Sequence, residues 1–217
     1  MEAESLPAHR FPPGDGPFGA RGVLVSGIVD YARRRVAGGI DAVLADLPPQ
    51  TRAFFEGSLF LASAIYDLSP VIEFSRAAAQ LQGTDLASFA RARAKTSAKV
   101  SVEALYKRQL AANDPTEMAA RLPRIFGRFF EPCRAEGVVA EPGRMQVCFC
   151  ELPRPMLGFY AWSCEGFVPE ALRLVGATNV QYRWDEPGAA GDHDGIPLAN
   201  LPFTVTWDSP ASDPQPG

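Results

Sequence analysis

The sequence predicts an α+β domain: a helical N-terminal region packed on a small antiparallel sheet, with β-β-α-β-β order in the C-terminal half. Three observations predict it. Between residues 26 and 129, apolar side chains recur at helical spacing between clear breakers. After Glu131-Pro132 the pattern changes to two strand-like runs that meet at Pro142-Gly143. A broad apolar helix over residues 155–176 then separates this hairpin from two more alternating runs, and antiparallel strands covered on one face by a helix form an α+β layer pair.

The elements follow in order. Residues 1–20 carry Pro7, Pro12, Pro13 and Pro17 without periodicity and are expected to be a disordered lead-in. Residues 26–36 place Ile28, Val29, Tyr31, Ala32 and Val36 on a helix that Gly38-Gly39 breaks. A short helix runs from Asp41 to Leu47 and stops at Pro48-Pro49, and Thr51 caps the next, which carries Phe54, Phe55, Leu59 and Phe60. Ser69-Pro70 opens a helix with proline at its first position, ending at Gly83. Asp85 and Ser101 each start a further helix, the second carrying Leu105, Tyr106 and Leu110. Asp114-Pro115 starts another through Met118, Leu122, Ile125, Phe126 and Phe129, with Pro123 expected to kink or split it.

In the hairpin, Met145, Val147 and Phe149 share one face, and Gln146, Cys148 and Cys150 the other. The helix over 155–176 buries Leu157, Tyr160, Cys164, Phe167 and Leu172, with a kink at Pro169 and Gly176 as its C-cap. Residues 178–184 and 201–207 are strands, joined by a Gly/Asp-rich loop over 187–197. Residues 208–217 read as a disordered tail, which leaves a single domain over 21–207.

The net charge of −4 gives no overall electrostatic reason to bind nucleic acid. No apolar run approaches the roughly 18 residues of a membrane span, and the N-terminus has no secretory pattern. The four cysteines, Cys133, Cys148, Cys150 and Cys164, form no CxxC pair, which points to a reduced, cytoplasmic setting. Cys148, Cys150 and Cys164 fall short of the four-ligand pattern of structural zinc and are expected to be small core residues, with no metal. Gly191-Asp-His-Asp-Gly195 lacks the remaining oxygens of a calcium loop. Basic residues cluster at 33–35, at Lys95, Lys99, Lys107 and Arg108, and at Arg121, Arg124 and Arg128; the last set has the spacing of a solvated helix stripe or of a face for an acidic partner or a lipid surface. Glu165 beside Ser163 is expected to face solvent on its helix. There is no phosphate loop, no nucleophile elbow and no His-Glu-x-x-His, so no catalytic residue is named.

Trp162, Cys164, Gly166, Phe167, Ala171, Leu172, Gly176, Ala177, Asn179, Val180 and Trp207 match the pattern W-C-x-G-F…A-L…G-A-x-N-V…W. On these residues the chain resembles the 4-vinyl-reductase-like domains, which look like one structural group with the TRAPP vesicle-tethering subunits and the haem nitric-oxide/oxygen-binding (H-NOX) domains. It is also similar over 21–207 to an uncharacterised myxobacterial family, through Leu47-Pro48-Pro49, the Tyr66 to Pro70 segment and Arg121-Leu-Pro-Arg124. The H-NOX resemblance implies a proximal histidine on a helix before the sheet and a Tyr-x-Ser-x-Arg clasp for the haem propionates. Registered on Gly166, the clasp positions fall on Cys150, Leu152 and Arg154, and only the arginine is kept. The two histidines, His9 and His193, lie in the lead-in and in the Gly/Asp loop.

The resemblance therefore implies a non-catalytic sensory or scaffold module without a cofactor. It would bind a small apolar ligand, such as an acyl chain in the manner of TRAPP subunits, or a protein partner or second copy. Phe126, Phe149, Tyr160, Cys164 and Phe167 would line the site, and Arg154 would hold an anionic head group. The alternatives are a haem-based gas sensor with a non-standard axial ligand and an enzyme acting on a small hydrophobic substrate.

Overall fold

A computed structural model describes residues 11–106 and 114–208, with the side chains of 103–106 outside the description. The readings placed on His9, on Leu105, Tyr106, Lys107, Arg108 and Leu110, and on the tail beyond 208 therefore lie outside the described residues.

The fold is α+β, with helices and antiparallel sheets as expected. A small sheet collects β1 (Gly19–Arg21), β2 (Ile65–Asp67) and β3 (Phe130–Glu131) in the order β2-β1-β3. The lead-in gives way before residue 20, because Phe18 is buried and β1 pairs on both sides. Between these strands run α1 (Gly22–Arg35), α2 (Gly39–Asp46), α3 (Pro49–Gly57), α4 (Leu68–Leu81), α5 (Leu86–Tyr106) and α6 (Pro115–Phe126). Asp67 caps α4 by accepting from Ser69 N at 2.9 Å. Asp114 caps α6 by accepting from the Thr116 and Glu117 amides. Pro123 sits inside α6 without splitting it, and Phe129 falls in the turn that follows.

Ser101 does not start a new helix. It lies within α5, because Ala90, Ala94, Ala98 and Val102 continue one buried stripe at four-residue spacing across it. That tertiary burial outweighs the local resemblance to a helix start.

The larger sheet orders β4 (Arg134–Glu141), β5 (Arg144–Pro153), β8 (Ile196–Asp208) and β6 (Thr178–Trp184), all antiparallel. The expected Gly/Asp loop is in part a strand: β7 (Gly188–His193) pairs with the start of β8 through a turn at Asp194-Gly195. Both turn residues have positive φ, as this hairpin geometry requires. The inward face of β5 alternates until Phe149, and a bulge at Glu151 (φ 60°) then shifts the register, so Cys150 and Leu152 are both buried. A 3₁₀ turn (Arg154–Met156) leads into α7 (Leu157–Leu174), which keeps Pro169 within its length and ends at Gly176 (φ 93°).

Helix α7 is the centre of the molecule. It lies between α5 and the sheet, and nearly every residue from Leu157 to Leu172 is buried. Gly166 permits its close approach to α5: a Cβ there would overlap the Arg91 carbonyl oxygen and stand 2.9 Å from the Ala94 Cβ. No described helix is long and apolar enough to cross a membrane.

Candidate functional site

The aromatic side chains expected to line a site converge where α6, β3, β5 and α7 meet. Phe126 on α6 stacks between Phe130 and Phe149, with ring centroids 5.2 and 5.0 Å away. Phe130 in turn packs 4.6 Å from Tyr160 on α7, and Phe129 packs 5.8 Å from Phe167. Phe126, Phe149, Tyr160, Cys164 and Phe167 are all buried. Arg154 is not among them, since it is exposed on the 3₁₀ turn.

The polar atoms at this junction are poorly served. The Tyr160 hydroxyl is buried without a hydrogen-bond partner, one of two such side-chain atoms among the described residues, the other being Trp207 Nε1. An unmade hydrogen bond on a buried hydroxyl costs about 1–3 kcal/mol. Cys133, in the turn between β3 and β4, interacts electrostatically with both Tyr160 and Cys164. Burial pushes the Cys133 thiol up to about 12 and raises Tyr160 and Cys164 well above their ordinary values, so all three are neutral at physiological pH.

Cys133 also faces outward. It lies in the wall of a cleft of about 530 Å³ between α6 and β4, with Pro123, Gly127, Ala135 and Val138 as apolar lining. Arg124, Arg128 and Arg134 complete the wall. Arg134 pairs with Glu136 and Glu151, and Arg121, on the same helix as Arg124, pairs with Glu117 outside the cleft. Arg124 and Arg128 have no carboxylate within ion-pair distance among the described residues. The basic stripe read from the α6 sequence thus contributes two residues to a cleft wall.

The other side of α7 is occupied by α5. Glu165 does not face water: its side chain is 9% exposed, accepting from Arg91 Nε at 2.5 Å and from Trp184 Nε1 at 2.9 Å. Ser163 is buried too, and its Oγ accepts from Arg93 Nη2 at 3.2 Å. Both expectations fail because α5 packs across the face that the α7 sequence leaves polar. Glu170 lies within 3.6 Å of Lys95 and of Lys99 along the same seam. Arg93 stands apart from these pairs. It is 5% exposed, and burial alone pulls its guanidinium down to about 10, which leaves it charged at neutral pH. Holding a buried charge without a counter-ion costs on the order of several kcal/mol.

Sequence reasoning named the aromatic residues of the junction, offered Arg124 and Arg128 as part of a face for an acidic partner, and missed Arg93. The i, i+4 spacing of Arg124 and Arg128 was the available signal. Nothing in the sequence marks Arg93, whose partner lies 70 residues away. Among the described residues, no three His, Cys, Asp or Glu side chains come together to hold a metal. His193 is exposed on β7 with its ring 5.8 Å from Phe18.

No protein-family model and no curated protein sequence matches the chain. Solved structures do. The Fe(II) unliganded H-NOX protein from K. algicida superposes with a TM-score of 0.59 at 11% identity, covering 89% of this chain and 100% of that one. A point mutant of T. tengcongensis H-NOX gives a TM-score of 0.59 at 11% identity over 88% of this chain and 100% of that one. A Cs H-NOX mutant carrying 4-cyano-L-phenylalanine gives 0.58 at 11% identity over 89% and 100%. At this identity the likeness establishes one thing about this chain: it has the H-NOX fold.

Proposed function

We propose that residues 21–207 form a non-catalytic sensory or scaffold module that binds a small apolar ligand at the α6–β4–α7 junction. The observation that carries this is the Tyr160 hydroxyl, buried and unpartnered behind a cleft whose wall includes Cys133. A ligand with one hydrogen-bond acceptor on an apolar body would satisfy that hydroxyl and replace ring contacts with its own. An acyl chain fits this description and agrees with the resemblance to 4-vinyl-reductase-like and TRAPP domains. A cytoplasmic setting agrees with four free thiols.

A small ligand is favoured over a protein partner because the exposed β4 edge is broken by a bulge between Glu136 and Val139, which blunts strand addition. The haem suggested by the H-NOX likeness does not fit the described residues. His193 is exposed on the sheet margin, and Cys164 and Cys133 are held as neutral thiols by burial. At the junction itself the aromatic rings already pack 4.6–5.2 Å apart.

Native mass spectrometry of the full chain purified from its expression host tests the proposal, together with melting curves in decanol and decanoate. The expected result is an organic adduct or a ligand-induced rise in melting temperature, lost in Tyr160→Phe. A bare protein mass with no shift from either compound contradicts it.

A further inference from the structure

We infer that the cleft between α1 and α5 is a second binding site, specific for a small organic carboxylate held by Arg93. The cleft has a volume of about 260 Å³ and includes Leu24 and Gly27 from α1, Arg93, Ser97 and Val100 from α5, and Phe129. Arg93 supplies five N–H donors in a fixed fork. One bond is made, to the neutral Ser163 hydroxyl, and no carboxylate lies within ion-pair distance among the described residues. A side chain only 5% exposed, charged and opening on a cavity, has the form of an anion receptor awaiting its anion.

The surroundings define the ligand further. Asp30, on the same cleft wall, is engaged 2.5 Å away by Arg33, and Arg34 adds a second positive charge to the rim. Hydroxyls of Ser97 and Ser101 offer donors to a second oxygen, while Val23, Val100 and Phe129 require an apolar body. The volume lies below the roughly 300–1,000 Å³ of drug-sized pockets, so the ligand is small. A planar carboxylate matches the guanidinium fork in two parallel bonds, and a hydrated inorganic ion would leave the apolar wall uncovered.

This site is separate from the α6–β4–α7 junction, and its test is independent. Isothermal titration and melting curves of the full chain would use hexanoate and benzoate, with hexanol and hexylamine as controls of similar shape, and inorganic phosphate. The carboxylates are expected to bind and to raise the melting temperature, and the controls and phosphate to do neither. Arg93→Met, which keeps the aliphatic stem, should fold with an unchanged or higher melting temperature and lose at least tenfold in carboxylate affinity. Gly27→Leu attacks the cleft from the opposite wall: the nearest atom to a Cβ there is Ser97 Oγ at 3.9 Å, so the side chain enters open space on a helix it favours. It too should lose at least tenfold. Tyr160→Phe should leave the binding of hexanoate and benzoate unchanged, which separates this site from the junction. Binding of hexanol to Tyr160→Phe as tight as that of hexanoate, binding of phosphate alone, or full hexanoate affinity in both cleft variants would overturn the inference.

Discussion

The two faces of α7 meet the rest of the protein in opposite ways. Toward α5 the contact is closed: Gly166 lies against the Arg91 carbonyl, Glu165 takes donors from Arg91 and Trp184, and Glu170 sits between lysines. Toward α6 and β5 the rings pack closely, yet Tyr160 keeps an unsatisfied hydroxyl and Cys133 opens on a cleft. Apart from Arg93, which opens on the α1–α5 cleft, the first face satisfies its polar groups from within the chain, and the second leaves the Tyr160 hydroxyl unpaired. The contrast supports the proposed ligand site at the α6–β4–α7 junction over the Glu165 and Glu170 seam.

The largest expected effect tests the closed face. Gly166→Leu must push α5 off α7, because the backbone of Arg91 cannot yield as a side-chain tip can. Overpacking of this kind costs about 3 kcal/mol or more, a fall of roughly 6–12 °C in melting temperature for a chain of this size. A variant that melts with wild type would mean that the seam is loose. Next comes Glu165→Leu, which strands the Trp184 and Arg91 donors at a cost of about 1–2 kcal/mol in chemical denaturation.

The third change should have the opposite sign. Tyr160→Phe removes a hydroxyl that makes no bond, so the ligand-free protein should gain about 1 kcal/mol while ligand binding weakens. A loss of stability would show that the hydroxyl has a partner in solution, which would remove the distinction between the two faces. The smallest effect lies away from both faces and gives a baseline. Burial raises the Asp67 carboxyl above its ordinary 3.8, even though it accepts from the Ser69, Gly14 and Gly16 amides. Its raised value means that protonation favours the folded chain: this contribution is fully present below the unfolded pKa and is lost as pH rises through the folded one. The stability advantage of wild type over Asp67→Asn should therefore shrink across that acid range. An advantage that grows with pH would contradict the burial argument.

Elements with a strong local signal were legible in the sequence. Asp114-Pro115 and Ser69-Pro70 mark helix starts, Gly176 marks a helix end, and Met145, Val147 and Phe149 mark the inner face of β5. Strand β7 was hidden because Gly188-Ala-Ala-Gly-Asp-His193 is almost wholly exposed and carries no branched aliphatic side chain to alternate. The sheet of β1, β2 and β3 was hidden because strands of two or three residues are too short to show a period. The aromatic half of the candidate site could be read because large apolar residues report burial wherever they occur. The polar half could not, because whether Arg93, Ser163 or Glu165 meets water depends on which helix crosses α7, and that is decided by contacts 70 or more residues apart.

Haem loading compared with organic-ligand loading is the most direct test of the haem-independent reading. The full chain, expressed with haem supplementation, would be examined by native mass spectrometry and by its absorption spectrum, beside Tyr160→Phe. The expected result is no Soret band and an organic adduct on wild type that is diminished in the variant. One equivalent of haem with a Soret band, retained in Tyr160→Phe, would contradict it.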